Sequence, residues 1–424
     1  MLTKSELDAW QQASGWVVAL SGGLDSSVLL HLLHSYRQHY GGPPLRAIHI
    51  EHGLQQAALA WPQHCRQLCS SLGVPLSSIA VKVADSTSVE QAARQARYQA
   101  FADNLAPGEV LMLGQHADDQ AETLLLRLLR GAGVNGLQGM PRQRPLGKGM
   151  LLRPLLGIPR QRLLEYAQQQ ALGWIEDPSN QHDEFDRNYL RNQVMPLLKQ
   201  RWPGVLSVFG RTCGQMCQAG ELLAELAQMD LARAAAVPVP DWLRVPALDL
   251  AAIQQLSRPR QINLLRCWLS DKTLPPDERH WAGWDDLCHA AADAQPYWRL
   301  QAGVLLRSAH LLYWLSQIWL QPPPAANLGP LAAGRHELPG NGSLLLAGCE
   351  GLALHLRYRQ GGEVVQLPGR GRRDLKRLLQ EQQVPWFMRA RLPLLYQDGQ
   401  LVAVANYPQL SQLPDIQCCW QPPL

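Results

Sequence analysis

Ser21-Gly22-Gly23-Leu24-Asp25-Ser26-Ser27 is the stretch on which the fold turns. Before it, Trp16-Val17-Val18-Ala19-Leu20 is apolar and rich in branched residues, which predicts a buried strand; after it, Val28, Leu29, Leu32 and Leu33 recur at helical spacing. The stretch is therefore a glycine-rich turn from a strand into a helix N-terminus. Paired glycines let the backbone turn tightly and approach a ligand closely. The first N–H groups of a helix have no partner inside it, and the macrodipole adds positive charge, so an anion sits well there. Ser26 and Ser27 can donate hydroxyls. The Asp25 carboxylate beside a phosphate needs a metal or a polar partner, which points to a nucleotide with Mg²⁺. An ordinary Ser/Asp-capped helix after a tight turn would leave the same local pattern. No Lys follows the glycines, so this is not the G-x-x-x-x-G-K-S/T phosphate loop.

Working outward, strand-like and helical runs alternate. Leu45 to Ile50, Ile79 to Val83 and Val110 to Leu113 predict three more strands, with helices over roughly 57–71, 88–105 and 118–130. Such alternation predicts an α/β fold with an open parallel sheet covered by helices on both faces. Ligands then bind beyond the carboxyl ends of the strands. The glycine turn, His49-Ile50-Glu51-His52-Gly53-Leu54 and Gly114-Gln115-His116-Ala117-Asp118-Asp119 all follow strands and should gather on one edge. A helix is expected over 159–172. Ala, Leu and Trp at helical spacing over 211–315 predict a mainly helical domain. Gln321-Pro322-Pro323-Pro324-Ala325 reads as a linker, and short strand-like runs such as 343–347 and 401–405 around a basic helix predict a small α+β C-terminal domain. The expected division is 1–210, 211–320 and 321–424.

A chain of 424 residues with 46% hydrophobic and 17% charged residues is a folded protein of two or three domains. Its net charge of +4 permits a nucleic-acid partner without requiring one. Nine cysteines with no C-x-x-C pair predict reduced thiols, a cytoplasmic setting and no zinc site. Residues 1–13 are polar, and no apolar run approaches the ~20 residues that span a bilayer, so no membrane association is expected. Nothing in the chain marks an obligate protein partner.

Charge is unevenly placed. Between Thr123 and Leu164 there is no Asp or Glu but eight basic residues, among them Arg142 and Arg144, in a glycine-rich stretch that predicts a loop on a phosphate backbone. Between Gly351 and Leu395 nine basic residues face three acidic ones, a local balance of +6 against +4 for the whole chain. There Arg370, Arg372 and Arg373 are expected in a glycine-flanked turn, with Lys376 opening the next helix. Asp119 and Glu122, three apart on a helix, share a face and could hold Mg²⁺ or an ammonium group, while Asp118 should point elsewhere. Carboxylates in a first helical turn are also favoured by the dipole alone. Arg94 and Arg97 are likewise i,i+3 neighbours and could neutralise an α-phosphate, or simply be solvated. His49, His52 and His116 could serve as acid–base groups or as polar loop residues.

The string S-G-G-x-D-S between strand and helix resembles the pyrophosphate loop of the N-type ATP pyrophosphatases, which cleave ATP between the α- and β-phosphates and adenylate an oxygen of their substrate. In order along the chain there follow H-x-x-H-G-L at 49–54, A-R-x-x-R-Y at 93–98, H-A-D-D-Q-A-E-T at 116–123, R-P-L-L at 153–156, E-D-P-S-N at 176–180 and Y-L-R-N at 189–192. With Gly361-Gly362-Glu363, Leu367-Pro368-Gly369-Arg370-Gly371 and Val384-Pro385-Trp386 near the C-terminus, the set resembles the tRNA(Ile)-lysidine synthetase family; the middle region matches only by position and size.

That resemblance implies that ATP adenylates the C2 oxygen of the wobble cytidine in a CAU-anticodon tRNA(Ile), and that L-lysine displaces AMP to give lysidine, converting the tRNA from methionine to isoleucine specificity. It implies that Ser21, Gly22, Gly23, Leu24, Asp25 and Ser26 bind ATP, with Asp25 on Mg²⁺. Asp25, Arg94 and Arg97 would be catalytic. Asp119, Glu122 and Arg191 would bind lysine, and Arg142, Arg144, Arg370, Arg372, Arg373 and Lys376 the tRNA. Glu51 and Gln115 stand where the family's pattern would carry Asn or His. The nearest rival, a tRNA 2-thiolation enzyme on the same loop, needs nucleophilic or cluster-binding cysteines. On the helical pattern, Cys65 and Cys69 fall away from the strand ends.

Overall fold

The computed structural model describes residues 2, 4–51, 60–81, 89–176, 183–291, 294–323, 327–367, 371–413 and 415–423. The chain divides into two compact units, Met1–Glu221 and Leu222–Leu424.

The first unit is built as α1 (Lys4–Asp8), β1 (Gly15–Ala19), α2 (Leu24–Tyr40), β2 (Leu45–Glu51), α3 (Ala60–Leu72), β3 (Leu76–Ala80), α4 (Val89–Asp103), β4 (Glu109–Met112) and α5 (Ala117–Leu129). Then come α6 (Val134–Leu137), β5 (Gln143–Leu146), β6 (Gly149–Leu152), α7 (Arg160–Gln169), α8 (Asp186–Tyr189), α9 (Met195–Arg201) and the long α10 (Val205–Ala234), which continues into the second unit. The sheet order is β3-β2-β1-β4-β6-β5, parallel except for β5. Strand β1 is central and buried except at Ala19, and the two-residue period of its side chains feeds both faces. Trp16 and Val18 join Ala47, Val110 and Met112 against α2, α3 and α7, whereas Val17 joins Ile48 and Leu111 against α4.

The chain leaves β1 towards β2 and β3, then returns to the other side of β1 at β4. The carboxyl ends of β1 and β4 thus form a topological switch point, where open α/β sheets bind ligands. The expected third strand over 79–83 lies earlier, at Leu76–Ala80, and pairs with β2. The helix expected over 118–130 is α5, and the glycine-rich basic stretch after it, expected as a loop, instead folds into α6 and the β5–β6 hairpin. Two of the cations between Thr123 and Leu164 are internal braces: Arg127 donates to the carbonyls of Gly136 and Gly139, and buried Arg153 donates to Gln115 and to the Pro141 carbonyl. Glycines at positive φ (Gly131, Gly139, Gly147) turn the chain between these elements rather than leaving it irregular.

The second unit begins with the C-terminal part of α10 and continues as β7 (Ala247–Asp249), α11 (Leu250–Gln254), α12 (Arg258–Leu269), α13 (Ala282–His289), β8 (Tyr297–Arg299), β9 (Gly303–Ser308) and β10 (Leu311–Ser316). The region expected to be mainly helical therefore also carries a four-stranded antiparallel sheet, β7-β10-β9-β8. Its Trp298, Leu305, Leu312 and Trp314 pack against Trp281, Trp284 and Leu264 of the helices, so the same Trp/Leu richness serves both.

The remainder is β11 (Asn327–Leu331), β12 (Gly334–Glu337), β13 (Ser343–Ala347), β14 (Leu354–Tyr358), β15 (Val364–Leu367), β16 (Gly371–Asp374), α14 (Leu375–Glu381), α15 (Trp386–Arg389), β17 (Pro393–Gln397), β18 (Gln400–Val404) and β19 (Gln417–Gln421). It forms a four-stranded sheet, a three-stranded sheet and a β15–β16 hairpin around one leucine-rich core. Arg372 and Arg373 are not in a turn. They lie on β16, paired with Gln366 and Val365, because Val365 and Leu367 bury one side of the hairpin and give the basic strand a partner. Arg370 and two residues of the expected linker, Pro324 and Ala325, lie outside the described residues.

Candidate active site

The glycine turn closes on itself. Ser26 Oγ donates to the Gly23 carbonyl (3.1 Å), accepts the Ser21 N–H (3.2 Å) and lies 3.0 Å from Ser21 Oγ. Gly22 adopts φ +87°, where a side chain is strained, and its carbonyl accepts the Ile175 N–H at 2.9 Å. Leu24 anchors the start of α2 in the core. The loop at the end of β4 presses on this turn: a Cβ on Gly114 would lie 2.9 Å from the Asp25 carbonyl. Behind the turn, the Cys65 thiol would lie 3.2 Å from a Cβ on Gly22 and is 3.6 Å from His49 Nδ1. Cys65 is thus beside the loop, not remote from the strand ends. Helix α3 packs over β1 and β2 and carries it there. Burial pushes its thiol up to about 12, so it stays protonated. Buried His49 meets the Leu20 carbonyl through Nδ1 at 2.8 Å; His52 lies outside the described residues.

Helix α5 starts directly after the β4 loop, and a capping box sets its entry. Buried His116 accepts the Asp119 N–H on Nδ1 (3.4 Å), while Asp119 Oδ2 accepts the His116 N–H (3.1 Å). This leaves His116 Nε2 facing Asp25 Oδ2 at 3.5 Å and Asp119 Oδ2 at 3.4 Å. Burial alone would lower the His116 pKa, but the carboxylates of Asp119, Asp25 and Asp118 outweigh it and raise it. Asp25 Oδ1 is buried and has no hydrogen-bond partner among the described residues.

Asp119 and Glu122 do share a face, and both are already engaged. Asp119 Oδ1 accepts from Arg187 Nη2 and Arg191 Nη2, each at 3.0 Å. Glu122 Oε2 accepts from Arg187 Nε and Arg191 Nη2 (2.9 Å each), and Oε1 accepts from Arg191 Nε (2.7 Å). Burial would raise the Asp119 pKa, yet His116, Arg187 and Arg191 together hold it below the usual carboxylate range. The two arginines come from α8 and from a π-helical turn over Leu190–Val194 that continues it, a geometry concentrated at functional sites. Asp118 lines the same cavity rather than pointing away: it accepts the Arg160 N–H at 2.8 Å and pairs with Lys199.

Two cavities meet at this point. The larger, about 810 Å³, lies over α5 and is walled by Asp118, Asp119, Glu122, Arg191, Lys199 and Trp174. The smaller, about 370 Å³, runs between β2 and α4, with Ile48, Ile50 and Phe101 as apolar lining and Arg94, Arg97 and Gln115 as polar lining. Ser21, Asp25, Trp61 and Asp119 border both. Arg94 lies over the Tyr98 ring, 5.1 Å from its centroid, and Arg144 lies 5.0 Å from the same centroid. Arg144 is therefore half-buried on an aromatic, whereas Arg142 is exposed. Gln115 accepts from Arg153, and the Glu51 side chain is half-buried at the end of β2. In the other unit Arg372, Arg373 and Lys376 are exposed, the last in the first turn of α14.

Sequence reasoning missed Arg187, Lys199, Trp61 and Trp174. Arg187 had a signal, since it stands four residues before Arg191 and a helix there places both on one side. The other three had none, because their approach depends on how α3, α9 and the segment after α7 pack.

No helix among the described residues is long and apolar enough to cross a membrane, and no group of three or more His, Cys, Asp or Glu side chains among them is placed to hold a metal ion. Three family models match: a PP-loop domain over residues 2–198, a TilS substrate binding domain over 248–313 and a TilS substrate C-terminal domain over 354–417. The chain is 56% identical to tRNA(Ile)-lysidine synthase of Pseudomonas putida, covering 98% of each chain. It is 51% identical to that of Pseudomonas aeruginosa, covering 98% of this chain and 96% of the relative. A solved structure, the U34-tRNA thiolase NcsA from Methanococcus maripaludis with its 4Fe-4S cluster, aligns with a TM-score of 0.42 and 18% identity over 51% of this chain and 76% of that one.

Proposed function

The chain belongs to the tRNA(Ile)-lysidine synthase family, and from that premise we infer how its two cavities divide one reaction. The protein is an ATP-using ligase that joins lysine to tRNA(Ile) through a carbon–nitrogen bond, with the wobble cytidine of the CAU anticodon as acceptor. In the first step the cytidine C2 oxygen attacks the ATP α-phosphorus and diphosphate leaves. In the second the lysine ε-amine attacks C2, the C2–O bond breaks, AMP leaves and the amine gives up a proton.

We assign ATP to the smaller cavity. Ile48, Ile50 and Phe101 offer an apolar slot for a base, and the Ser21–Ser26 turn with the N-terminus of α2 offers N–H groups and hydroxyls to phosphate. Arg94 and Arg97 stand where they can neutralise charge growing on the α-phosphate. Mg²⁺ fits Asp25, whose buried Oδ1 lacks a partner among the described residues, since this ion takes one or two carboxylates and completes its shell with phosphates and water. Bound there, it would offset charge between the α- and β-phosphates.

The larger cavity takes lysine. Arg191, a third exposed, offers guanidinium N–H groups to the α-carboxylate, and Asp119 offers acceptor capacity to an ammonium. Glu122 is almost wholly buried and holds Arg187 and Arg191 in register. Arg142, Arg144, Arg370, Arg372, Arg373 and Lys376 are proposed tRNA contacts, and the cytoplasm is the proposed location. The division 1–210, 211–320 and 321–424 is our proposal too, supported by the separate spans of the three family models.

The observation that carries this reading is the border of Ser21, Asp25 and Asp119 shared by both cavities: one base there can meet a phosphate from one side and an amine from the other. The thiolation alternative is disfavoured by the lysidine-synthase relatives that cover nearly the whole chain, and burial of Cys65, which raises its thiol pKa, works against a thiolate nucleophile there. Incubation with ATP, lysine and CAU-anticodon tRNA, followed by mass spectrometry of the nucleosides, should give cytidine plus lysine minus water. A sulfur-for-oxygen mass change would overturn the assignment.

A further inference from the structure

Resting on that reading, the shared border carries a more specific conclusion. Both bond changes occur at C2 and O2 of one pyrimidine, so the base must stand where the cavities join. Four residues border both: Ser21, Asp25, Asp119 and Trp61. The first three present a hydroxyl and two carboxylates, suited to phosphates, metal and amines. Only Trp61, in the first turn of α3, presents a π face.

Enzymes that act on a base take it out of its stack, and the stacking it loses must be replaced inside the site. An indole does this without choosing among bases by hydrogen bonds. Several indoles in the interior of this chain use their N–H groups, as Trp16 donates to the Trp10 carbonyl and Trp284 to Gln261, although the buried Trp281 Nε1 has no partner among the described residues. Among the described residues the Trp61 indole has neither a hydrogen bond nor a ring contact, and it is half-buried at a cavity mouth. We propose that Trp61 is the platform on which the extruded wobble cytosine stacks, placing O2 towards the nucleotide cavity and leaving one face of C2 open towards the lysine cavity.

The test compares Trp61→Phe, Trp61→Leu and Trp61→Ala in the full-length protein, with thermal melting as the folding control. Trp61→Leu keeps apolar bulk but has no ring. It and Trp61→Ala should lose roughly 10- to 100-fold in kcat/KM for tRNA, the range expected for one base–aromatic stack. Trp61→Phe should recover most of that loss, and KM for ATP and lysine should barely move. A readout independent of turnover uses an anticodon stem-loop carrying pyrrolocytosine at the wobble position. Its fluorescence on binding should be quenched by wild type and by Trp61→Phe, and not by Trp61→Leu. Equal kinetics for the Leu and Phe variants, or a loss that falls on KM for ATP, would overturn the proposal. If wild type instead adds no lysine while the quench still depends on Trp61, the ligase reading fails and the stacking platform stands.

Discussion

Gly114 approaches Asp25 so closely that a Cβ would sit 2.9 Å from the Asp25 carbonyl carbon and oxygen and 3.0 Å from the Ser26 N–H nitrogen. Backbone, not a flexible side chain, occupies that space, so Gly114→Ala must push the end of β4 away from the phosphate turn. A misplacement of about 1 Å can cost roughly a hundredfold in rate. The expected outcome is a fall of about that size in pyrophosphate release with tRNA affinity unchanged. Near-wild-type release would mean that the turn tolerates the shift.

Asp25→Asn keeps the shape of a side chain that faces His116 through Oδ2 and leaves Oδ1 unpartnered among the described residues. Loss of the charge removes the proposed anchor for Mg²⁺. Pyrophosphate release should fall to background, and excess Mg²⁺ should restore none of it, while tRNA binding stays close to wild type. Recovery of release at high Mg²⁺ would place the principal metal contact elsewhere.

Asp119→Ala should raise KM for lysine more than KM for ATP. Its carboxylate is shared by Arg187 and Arg191, so its loss also frees the guanidinium groups that frame the lysine cavity. Steady-state titration of each substrate against saturating partner separates the effects. An equal rise in both constants would instead favour a metal role, because Asp119 also borders the nucleotide cavity.

What could be read before folding was what is local. The turn at 21–27, the sheet around β1 and the Asp119/Glu122 face follow from spacing and strand–helix order, and each stands where that order puts it. The arginines that neutralise the carboxylates come from a segment some 65 residues further on, and no local pattern ties Arg187 to Glu122. Arg144 looked like a free cation because a sequence does not display the Tyr98 ring beneath it. Arg372 and Arg373 looked like turn residues because β15 supplies the pairing and the buried side chains that make a strand of them. Charge density was legible; which charges face solvent was not.

At the amino end of β4, away from the phosphate turn, Glu109 receives Arg46 through both oxygens (2.8 and 2.6 Å) and the Ala106 N–H. The Arg46 hydrogen bond is the main reason its pKa lies below the ordinary 4.5. A carboxyl depressed in the folded state contributes stability above its unfolded pKa and loses it as pH falls through the folded value. Glu109→Gln should therefore lower stability at pH 7 by about 1.5–3 kcal/mol. The gap from wild type should close as pH drops below the ordinary value, with kcat at pH 7 unchanged. Urea unfolding at pH 7 and near pH 3 checks this; a gap that widens in acid would mean the wrong sign.

The basic hairpin of the second unit allows a test that depends on charge and not on chemistry. Arg372 and Arg373 are exposed on β16, and Lys376 is exposed in the first turn of α14, whose entry is fixed by Asp374 accepting the Arg377 N–H at 3.1 Å. Leu375, Leu378 and Leu379 bury the other side of that helix, so the cations can be removed without touching the core. Replacing Arg372, Arg373 and Lys376 with Ala should weaken tRNA binding at every salt concentration. The slope of log K against log salt should also flatten by about 0.7–0.9 for each phosphate that is no longer neutralised, because each neutralised phosphate releases its share of condensed counterions. KM for ATP and lysine should not move, since these residues line neither cavity. A surface that served only solubility would leave both the affinity and the slope unchanged. Weaker binding with an unchanged slope would mean that the hairpin holds the tRNA by shape and not through phosphates.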